Sequence, residues 1–103
     1  MKAAFSVSVT RTAEQELVEI RDFIARDSPR NAHRFVARIA ESFGELAFFP
    51  TSYPIAPESP HNGEIVRHCF PAKSYRVLFV VRKHTVVVIH VRHTSRERKF
   101  PTQ

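Results

Sequence analysis

The sequence predicts an α+β fold in which a small, mainly antiparallel sheet carries a helical hairpin packed on one face. Residues 74–93 (SYRVLFVVRKHTVVVIHVRH) form two runs rich in β-branched and aromatic residues around a short polar turn at residues 82–84, which is typical of a β-hairpin. Two earlier segments space their apolar residues as helices do. With one strand at the start and one before the hairpin, the predicted order is β-α-α-β-β-β.

The first strand and the first helix follow each other closely. Residues 5–9 alternate apolar and polar side chains, which predicts a strand. Thr12 is expected to open the helix, because Gln15 three residues later completes a capping-box pattern. The apolar residues that follow step by four, three and four, and so line one helical face: Ala13, Leu17, Ile20 and Ile24.

The second helix is predicted to begin at Pro29, with Ser28 as its N-cap. Its apolar residues also lie on one face: Ala32, Phe35, Ile39, Phe43 and Leu46. Pro50 stands just past the expected end. Because very few residues separate the two helices, we expect a helical hairpin, whose outer faces carry both signs of charge and are interpreted as solvated surface.

The rest of the chain connects these elements. Residues 51–63 contain three prolines and predict an irregular loop, and residues 64–70 predict a strand that Pro71 should stop. Residues 95–103 are interpreted as a polar, basic tail. We expect residues 1–103 to form a single domain, since the length allows one modest core.

Basic residues interrupt the otherwise apolar faces of the central hairpin. Arg76 lies near its start, and His90, Arg92 and His93 lie near its end. Because the two ends of an antiparallel hairpin lie side by side, this pattern suggests a site for an anion.

Charge is distributed unevenly along the chain. Residues 1–60 contain 7 Lys and Arg against 8 Asp and Glu, whereas residues 61–103 contain 9 against 2, within a formal net charge of +6. This asymmetry indicates a polyanionic partner, either nucleic acid or an acidic protein, with solubility alone as the alternative. The single cysteine, and the absence of a signal-peptide or transmembrane pattern, predict a soluble cytoplasmic protein without membrane contact.

The order and spacing of several short patterns resemble the RelE/ParE superfamily of toxins from type II toxin–antitoxin systems. The patterns are Ala13, Leu17, Ile20, Phe23 and Ile24 in the first helix, Pro29, Ala32 and Phe35 in the second, the segment from Leu46 to Pro50, Ile65 and Arg67, the run from Tyr75 to Phe79, and His93 with Arg96. The long helical hairpin is more similar to the ParE branch than to the RelE branch.

The resemblance implies a function and partners. A ParE-like toxin would cause growth arrest by inhibiting DNA gyrase, would stabilise plasmids, and would be neutralised by a cognate antitoxin. It would need no cofactor and no catalysis of its own, and a toxin–antitoxin heterotetramer is one assembly that the resemblance allows. The alternative is a RelE-like, metal-free endoribonuclease that cleaves mRNA on the ribosome. A third reading is a non-toxic basic module that binds nucleic acid or protein.

The nuclease alternative names specific residues. His93 would be the acid or base, because a histidine titrates near neutral pH. Arg67, Arg76 and Arg96 would neutralise the phosphate, with Lys73 and Tyr75 assisting. The RelE branch carries clustered lysines before the central strand. Here only Lys73 stands there, which favours the ParE branch.

A wider set is expected to contact the target or the antitoxin: Arg67, Arg76, Leu78, Val80, Arg92, His93, Arg96 and Arg98. Leu78 and Val80 lie on the second face of the sheet, for which no helical layer is left. We therefore expect an antitoxin segment to cover them and to place a carboxylate near Arg76. The structural alternatives are that Arg76 pairs with a carboxylate of the antitoxin or with a backbone carbonyl, and that Tyr75 is a core residue.

No metal site is expected from the sequence, because the spacing of the histidines and Cys69 matches no familiar ligand pattern. Cys69 is not expected to be a nucleophile either, since nothing in the sequence pairs it with a base.

Overall fold

The fold was analysed in a computed structural model that describes residues 4–94. The elements are β1 (Ser6–Val9), α1 (Arg11–Asp27), α2 (Pro29–Glu45), a 3₁₀ turn (Pro50–Ser52), β2 (Arg67–Ala72), β3 (Tyr75–Arg82) and β4 (Thr85–His93). This order confirms the predicted β-α-α-β-β-β arrangement. Neither helix in this part of the chain is long and apolar enough to cross a membrane.

The four strands form one sheet in the order β1-β4-β3-β2. β1 runs parallel to β4, while β2–β3 and β3–β4 are antiparallel. The β3–β4 hairpin is therefore central, as predicted from its two apolar faces. Its turn is shorter than expected, because Arg82 still pairs with Thr85. Lys83, within the turn, adopts the left-handed backbone conformation (φ 49°) that tight hairpin turns favour.

α1 begins two residues earlier than the sequence suggested. The side-chain oxygen of Thr10 accepts a hydrogen bond from the amide of Ala13 at 3.1 Å, so Thr10 is the N-cap and Thr12 lies inside the first turn. The expectation for Thr12 was wrong because the strand passes into the helix without a linker. The Thr10 amide still donates to the carbonyl of Val88 at 3.0 Å.

One residue, Ser28, separates the two helices, which confirms the short connection and the N-cap that the sequence predicted. The Ser28 amide donates to the carbonyl of Ile24 at 3.0 Å at the end of α1. Its hydroxyl accepts from the amide of Asn31 at 3.1 Å at the start of α2, where Pro29 is the first residue. A single residue that serves two helix ends fixes the sharp reversal between them.

The main core lies between the helices and one face of the sheet, here called the helix face. Its buried members are Ala13, Phe35, Ile39, Leu46, Val77, Phe79, Val86, Val88 and Val91. These come from the apolar faces of both helices, from alternate positions of β3, and from β4, where the register shift places Val91 on the same face as Val86 and Val88. The helical patterns and the alternation in β3 locate this core correctly, whereas strict alternation in β4 was wrong for Val91, which it placed on the face of Val87 and Ile89.

The opposite face of the sheet, here called the outer face, is covered by the chain itself. Residues 53–66, the 53–66 loop, cross this face and bury Ala56 and Val66 against Leu78 and Val80. Leu78 is fully buried and Val80 is 3% exposed. The expectation that this face needs a partner to cover it was therefore wrong, because an irregular loop provides the layer that helices do not.

β2 begins later and extends further than predicted. It starts at Arg67 and continues through Pro71 to Ala72, with a register shift between Cys69 and Ala72. Pro71 does not stop the strand because β2 is at the edge of the sheet, where a missing amide donor costs no ladder bond. The Pro71 carbonyl accepts a hydrogen bond from Arg38 Nε at 2.8 Å, which ties this edge to α2.

Candidate functional site

The basic residues of the central hairpin meet at its open end, as the sequence suggested. Arg76 of β3 is opposite Arg92 of β4, and Tyr75 is opposite His93. Because successive residues of a strand point to opposite faces, the two pairs lie on different sides of the sheet. Arg76 shares the outer face with Leu78, whereas Tyr75 lies on the helix face.

Arg76 lies on the outer face at the open end of the hairpin, and it is only 7% exposed. Its Nη2 forms an ion pair with Oε2 of Glu58, which the 53–66 loop brings over the sheet. Its Nη1 lies 2.7 Å from Nδ1 of His68 in β2. A guanidinium can only donate, so this ring nitrogen of His68 is the acceptor. The sequence suggested a carboxylate of the antitoxin or a backbone carbonyl as the partner of Arg76, whereas the partner in the structure is a carboxylate of the same chain, Glu58.

Arg92 lies in a second group at the free edge of β4. Glu16 of α1 reaches this edge, with its Oε2 at 3.7 Å from Arg92 Nε and 3.1 Å from His90 Nδ1. Its Oε1 accepts a hydrogen bond from the Val91 amide at 3.0 Å. His90 Nδ1 also lies 3.2 Å from Arg92 Nη2, so it donates to Glu16 or accepts from Arg92 according to which ring nitrogen carries hydrogen.

These contacts neutralise much of the positive charge at the open end of the hairpin. Each of the two facing arginines contacts a carboxylate of the same chain, Glu58 for Arg76 and Glu16 for Arg92. All four side chains are less than one quarter exposed, which limits screening by water. The cluster that the sequence presented as an anion site is thus occupied by internal anions.

The histidine proposed as acid or base lies apart from Arg76. The ring of His93 packs edge-on against Tyr75, with 4.9 Å between centroids, and Tyr75 also contacts Phe35 of α2 at 4.8 Å. Both rings are therefore on the helix face, and the alternative of Tyr75 as a core residue agrees with these contacts. The sheet separates His93 from Arg76.

The remaining predicted residues are dispersed. Arg67 donates from Nη1 to the carbonyl of Tyr53 at 2.8 Å, and it is opposite Phe79, a residue of the helix face. Lys73 is exposed in the turn between β2 and β3. Arg96 and Arg98, and the predicted tail at 95–103, lie outside the described residues. Within residues 4–94, the cations and the histidine of the nuclease alternative do not converge on one point.

Three residues that contact Arg76 or Arg92 were not identified from the sequence: Glu58, His68 and Glu16. Glu58 stands alone among the prolines of its loop, and Glu16 belongs to a helix face that was interpreted as solvated. Neither has a pattern that predicts its partner, because the contacts join residues 18 and 76 positions apart. A buried arginine on a central strand, which requires a carboxylate, was the available signal.

An exposed aromatic ring lies beside the Arg76 group. Phe70 of β2 is 57% exposed, and its ring is tilted against that of His68 with 4.9 Å between centroids. His68 therefore touches Arg76 on one side and Phe70 on the other. The outer face thus carries a cation, an imidazole and an accessible ring in one row.

Cys69 lies on the same strand, β2, but its thiol is unreactive near neutral pH. Burial raises the pKa of its thiol to about 11, with a smaller contribution from the charge of Glu45. Such a thiol is almost entirely protonated near neutral pH and is a poor nucleophile. Across residues 4–94, no three His, Cys, Asp or Glu side chains are grouped as a metal site would require.

Comparison with known proteins gives a consistent result. The model of the family described as ParE toxin of type II toxin–antitoxin system, parDE, matches residues 7–98. The chain is similar in structure to the chromosomal ParDE toxin–antitoxin system from P. aeruginosa, with a TM-score of 0.71, 22% identity, and coverage of 87% of this chain and 96% of that one. It is also similar to the RelBE2 toxin–antitoxin complex from Mycobacterium tuberculosis, with a TM-score of 0.52, 23% identity, and coverage of 90% and 94%. At these identities the structures show a shared fold. No curated protein matches the sequence.

Proposed function

Because this chain belongs to the ParE toxin family of type II toxin–antitoxin systems, we propose that it arrests growth by inhibiting DNA gyrase and that a cognate antitoxin neutralises it. The observation that carries the choice of gyrase over the ribosome is the separation of His93 from Arg76 by the sheet. A nuclease must place its acid or base within hydrogen-bonding reach of the phosphate that its cations hold. A protein that acts through a contact surface has no such requirement.

The internal carboxylates support the same choice. The guanidinium of Arg76 is engaged by Glu58 and His68, so any phosphate that binds there must first displace Glu58, and even then His93 lies on the other face of the sheet. The histidines of the outer face, His68 and His90, are each held by an arginine or a carboxylate. They therefore act as structural groups in this proposal.

The test compares two assays on the purified protein. We expect inhibition of gyrase-catalysed supercoiling and no cleavage of ribosome-bound mRNA. His93→Gln keeps the size and hydrogen bonding of the side chain but cannot titrate, and it should retain most of the growth arrest. Cleavage of ribosome-bound mRNA that His93→Gln abolishes would establish the RelE-like alternative instead, and absence of growth arrest would leave the non-toxic binding module.

The antitoxin proposal rests on charge as well as on family. Residues 61–103 carry most of the positive charge, which fits an acidic antitoxin. Arg92, Arg96 and Arg98 are proposed as contacts with the antitoxin or the target, whereas Leu78 and Val80 are too buried for this role. Co-expression with the product of a short, acidic neighbouring gene should restore growth, and failure of every adjacent gene product to do so would contradict the proposal.

The basic end of the chain is proposed to engage the target. Deletion of residues 95–103 removes Arg96, Arg98 and Lys99 together. Toxicity should fall while the midpoint of thermal unfolding stays nearly unchanged, because polar termini contribute little packing. Full toxicity after this deletion would show that the end is dispensable.

A further inference from the structure

The Arg76 group has the components of a binding site for single-stranded nucleic acid. Arg76 and His68 lie 2.7 Å apart on the outer face, and the exposed ring of Phe70 packs on His68. A guanidinium matches the geometry of a phosphate, and an accessible aromatic ring offers a surface on which a base can stack. The row therefore fits a nucleotide unit, with its phosphate at Arg76 and its base at Phe70.

Glu58 occupies the position that such a phosphate would take. Its carboxylate forms an ion pair with Arg76, and the two side chains are 14% and 9% exposed. A carboxylate and a phosphate compete for the same donors on a guanidinium. As long as Glu58 stays in place, the donors it uses cannot also bind a phosphate.

We propose that Glu58 is an internal plug of a nucleic-acid site, and that single-stranded RNA binds at Arg76 and Phe70 when the segment carrying Glu58 moves away. The proposal concerns binding only and assigns no cleavage. It does not depend on the choice of gyrase as the target. RNA is preferred over a carboxylate-bearing peptide as the ligand because Phe70 adds a stacking surface to the cation.

The attachments of the 53–66 loop define which part moves. Ala56 and Val66 are buried against the sheet, and the Ala56 amide donates to the Val66 carbonyl at 2.8 Å. Between these anchors the segment is held by side-chain contacts, such as the Val66 amide bound to Ser59 Oγ at 3.0 Å and the Glu64 ion pair with Arg82, and by the backbone hydrogen bond from the Ser59 amide to the Ala56 carbonyl at 3.0 Å. The anchors remain packed while residues 57–65 are displaced.

The central variant is Glu58→Gln, which removes the charge and keeps the shape of the side chain. Binding is measured by the fluorescence anisotropy of a short, labelled single-stranded RNA at fixed salt concentration. We expect the affinity to rise by about tenfold or more relative to the unmodified protein, because Arg76 then lacks its internal counter-charge. The gain should disappear in Glu58→Gln/Arg76→Gln, and Phe70→Ala should reduce it if the base stacks there.

The matched control is Glu64→Gln. Glu64 is on the same loop and its loss changes the net charge equally, but its partner Arg82 is exposed at the opposite end of β3. A general electrostatic effect would raise the RNA affinity of both variants alike, and that result would overturn the proposal. So would a gain in Glu58→Gln that persists without Arg76.

A second measurement uses the unmodified protein and decides the matter if Glu58→Gln does not fold. Hydrogen exchange is followed with and without saturating RNA. Competition between RNA and Glu58 should accelerate exchange of the Val66 amide, whose acceptor Ser59 Oγ belongs to the moving segment. The Thr10 amide, bound to Val88 at the far side of the sheet, should be unaffected. Unchanged exchange at Val66 under saturating RNA would refute the plug.

Discussion

The carboxylate of Glu16 in α1 accepts a hydrogen bond from the backbone amide of Val91 in β4, with 3.0 Å between oxygen and nitrogen. β1 pairs with β4 only as far as Val88, so among residues 4–94 no strand lies beside the edge of β4 beyond that residue. The register between β3 and β4 also shifts between Leu78 and Phe79, where β4 contains an extra residue. α1 thus replaces β1 as the partner of this edge.

This relationship makes Glu16 a structural residue. Glu16→Ala should lower the free energy of unfolding by about 1.5–3 kcal/mol, the range for hydrogen bonds to a charged group, because a backbone amide and two basic side chains lose their acceptor. Urea unfolding measures the change. Glu19→Ala, an exposed position on the same helix, is the control and should stay within about 0.5 kcal/mol of the unmodified protein. Equal effects of the two variants would show that the contact contributes nothing.

The start of α1 offers a paired test at two threonines. Thr10→Ala removes the oxygen that accepts from the Ala13 amide and should cost about 1 kcal/mol of stability. Thr12→Ala, two residues on and exposed, should cost far less. Chemical denaturation of both variants checks this order. A larger loss at Thr12 would restore the capping-box pattern that the sequence suggested.

Much of the fold could be predicted because its signals are local. The reversal at Ser28 depends on a cap and a proline that are adjacent in sequence. The central hairpin depends on alternation over a few residues, and the helix-facing core on two short periods. The short patterns that resemble the RelE/ParE superfamily involve many of these helix and hairpin residues, and they are therefore spread over most of the chain.

The candidate site could not be predicted in the same way. Arg76 was identified because a basic residue interrupts an apolar strand, but its partner Glu58 lies 18 residues away on a loop without periodicity. Proline-rich loops give no sequence signal for the face that they cover, so Leu78 was expected to lie at a binding surface. Pro71 was expected to stop its strand, but β2 continues through it. The sequence does not show that β2 lies at the edge of the sheet, where a proline is tolerated.

The buried position of Leu78 leads to a third prediction. Leu78→Ala should cost about 2–5 kcal/mol of unfolding free energy, because it opens a cavity between β3 and the 53–66 loop. Ile65→Ala, at a position 52% exposed on the same loop, should cost much less. Urea unfolding with a common m-value provides the comparison. A near-neutral Leu78→Ala would mean that the loop does not cover the outer face in solution.

Cys69 provides a chemical test of burial. Its pKa of about 11 compares with an ordinary value of 9.0, so at pH 8 the thiolate fraction in the folded protein is lower by about a hundredfold. Alkylation by iodoacetamide should be slower by about that factor in the folded protein than in denaturant. Glutathione under the same conditions corrects for the effect of denaturant on the reagent. Equal corrected rates would indicate an accessible, ordinary thiol.

The same thiol predicts how stability depends on alkaline pH. Because the pKa of the Cys69 thiol is higher in the folded protein than in the unfolded chain, the thiol stabilises the folded state in full below pH 9. This stabilisation is lost as pH rises towards 11, because the thiol of the unfolded chain releases its proton first. The loss of unfolding free energy over this range should be about 2 kcal/mol. Burial also raises the pKa of Tyr53, so Cys69→Ala is the necessary comparison. Between pH 9 and 11 the unfolding free energy of the unmodified protein should fall more steeply than that of Cys69→Ala, and parallel curves would contradict the buried thiol.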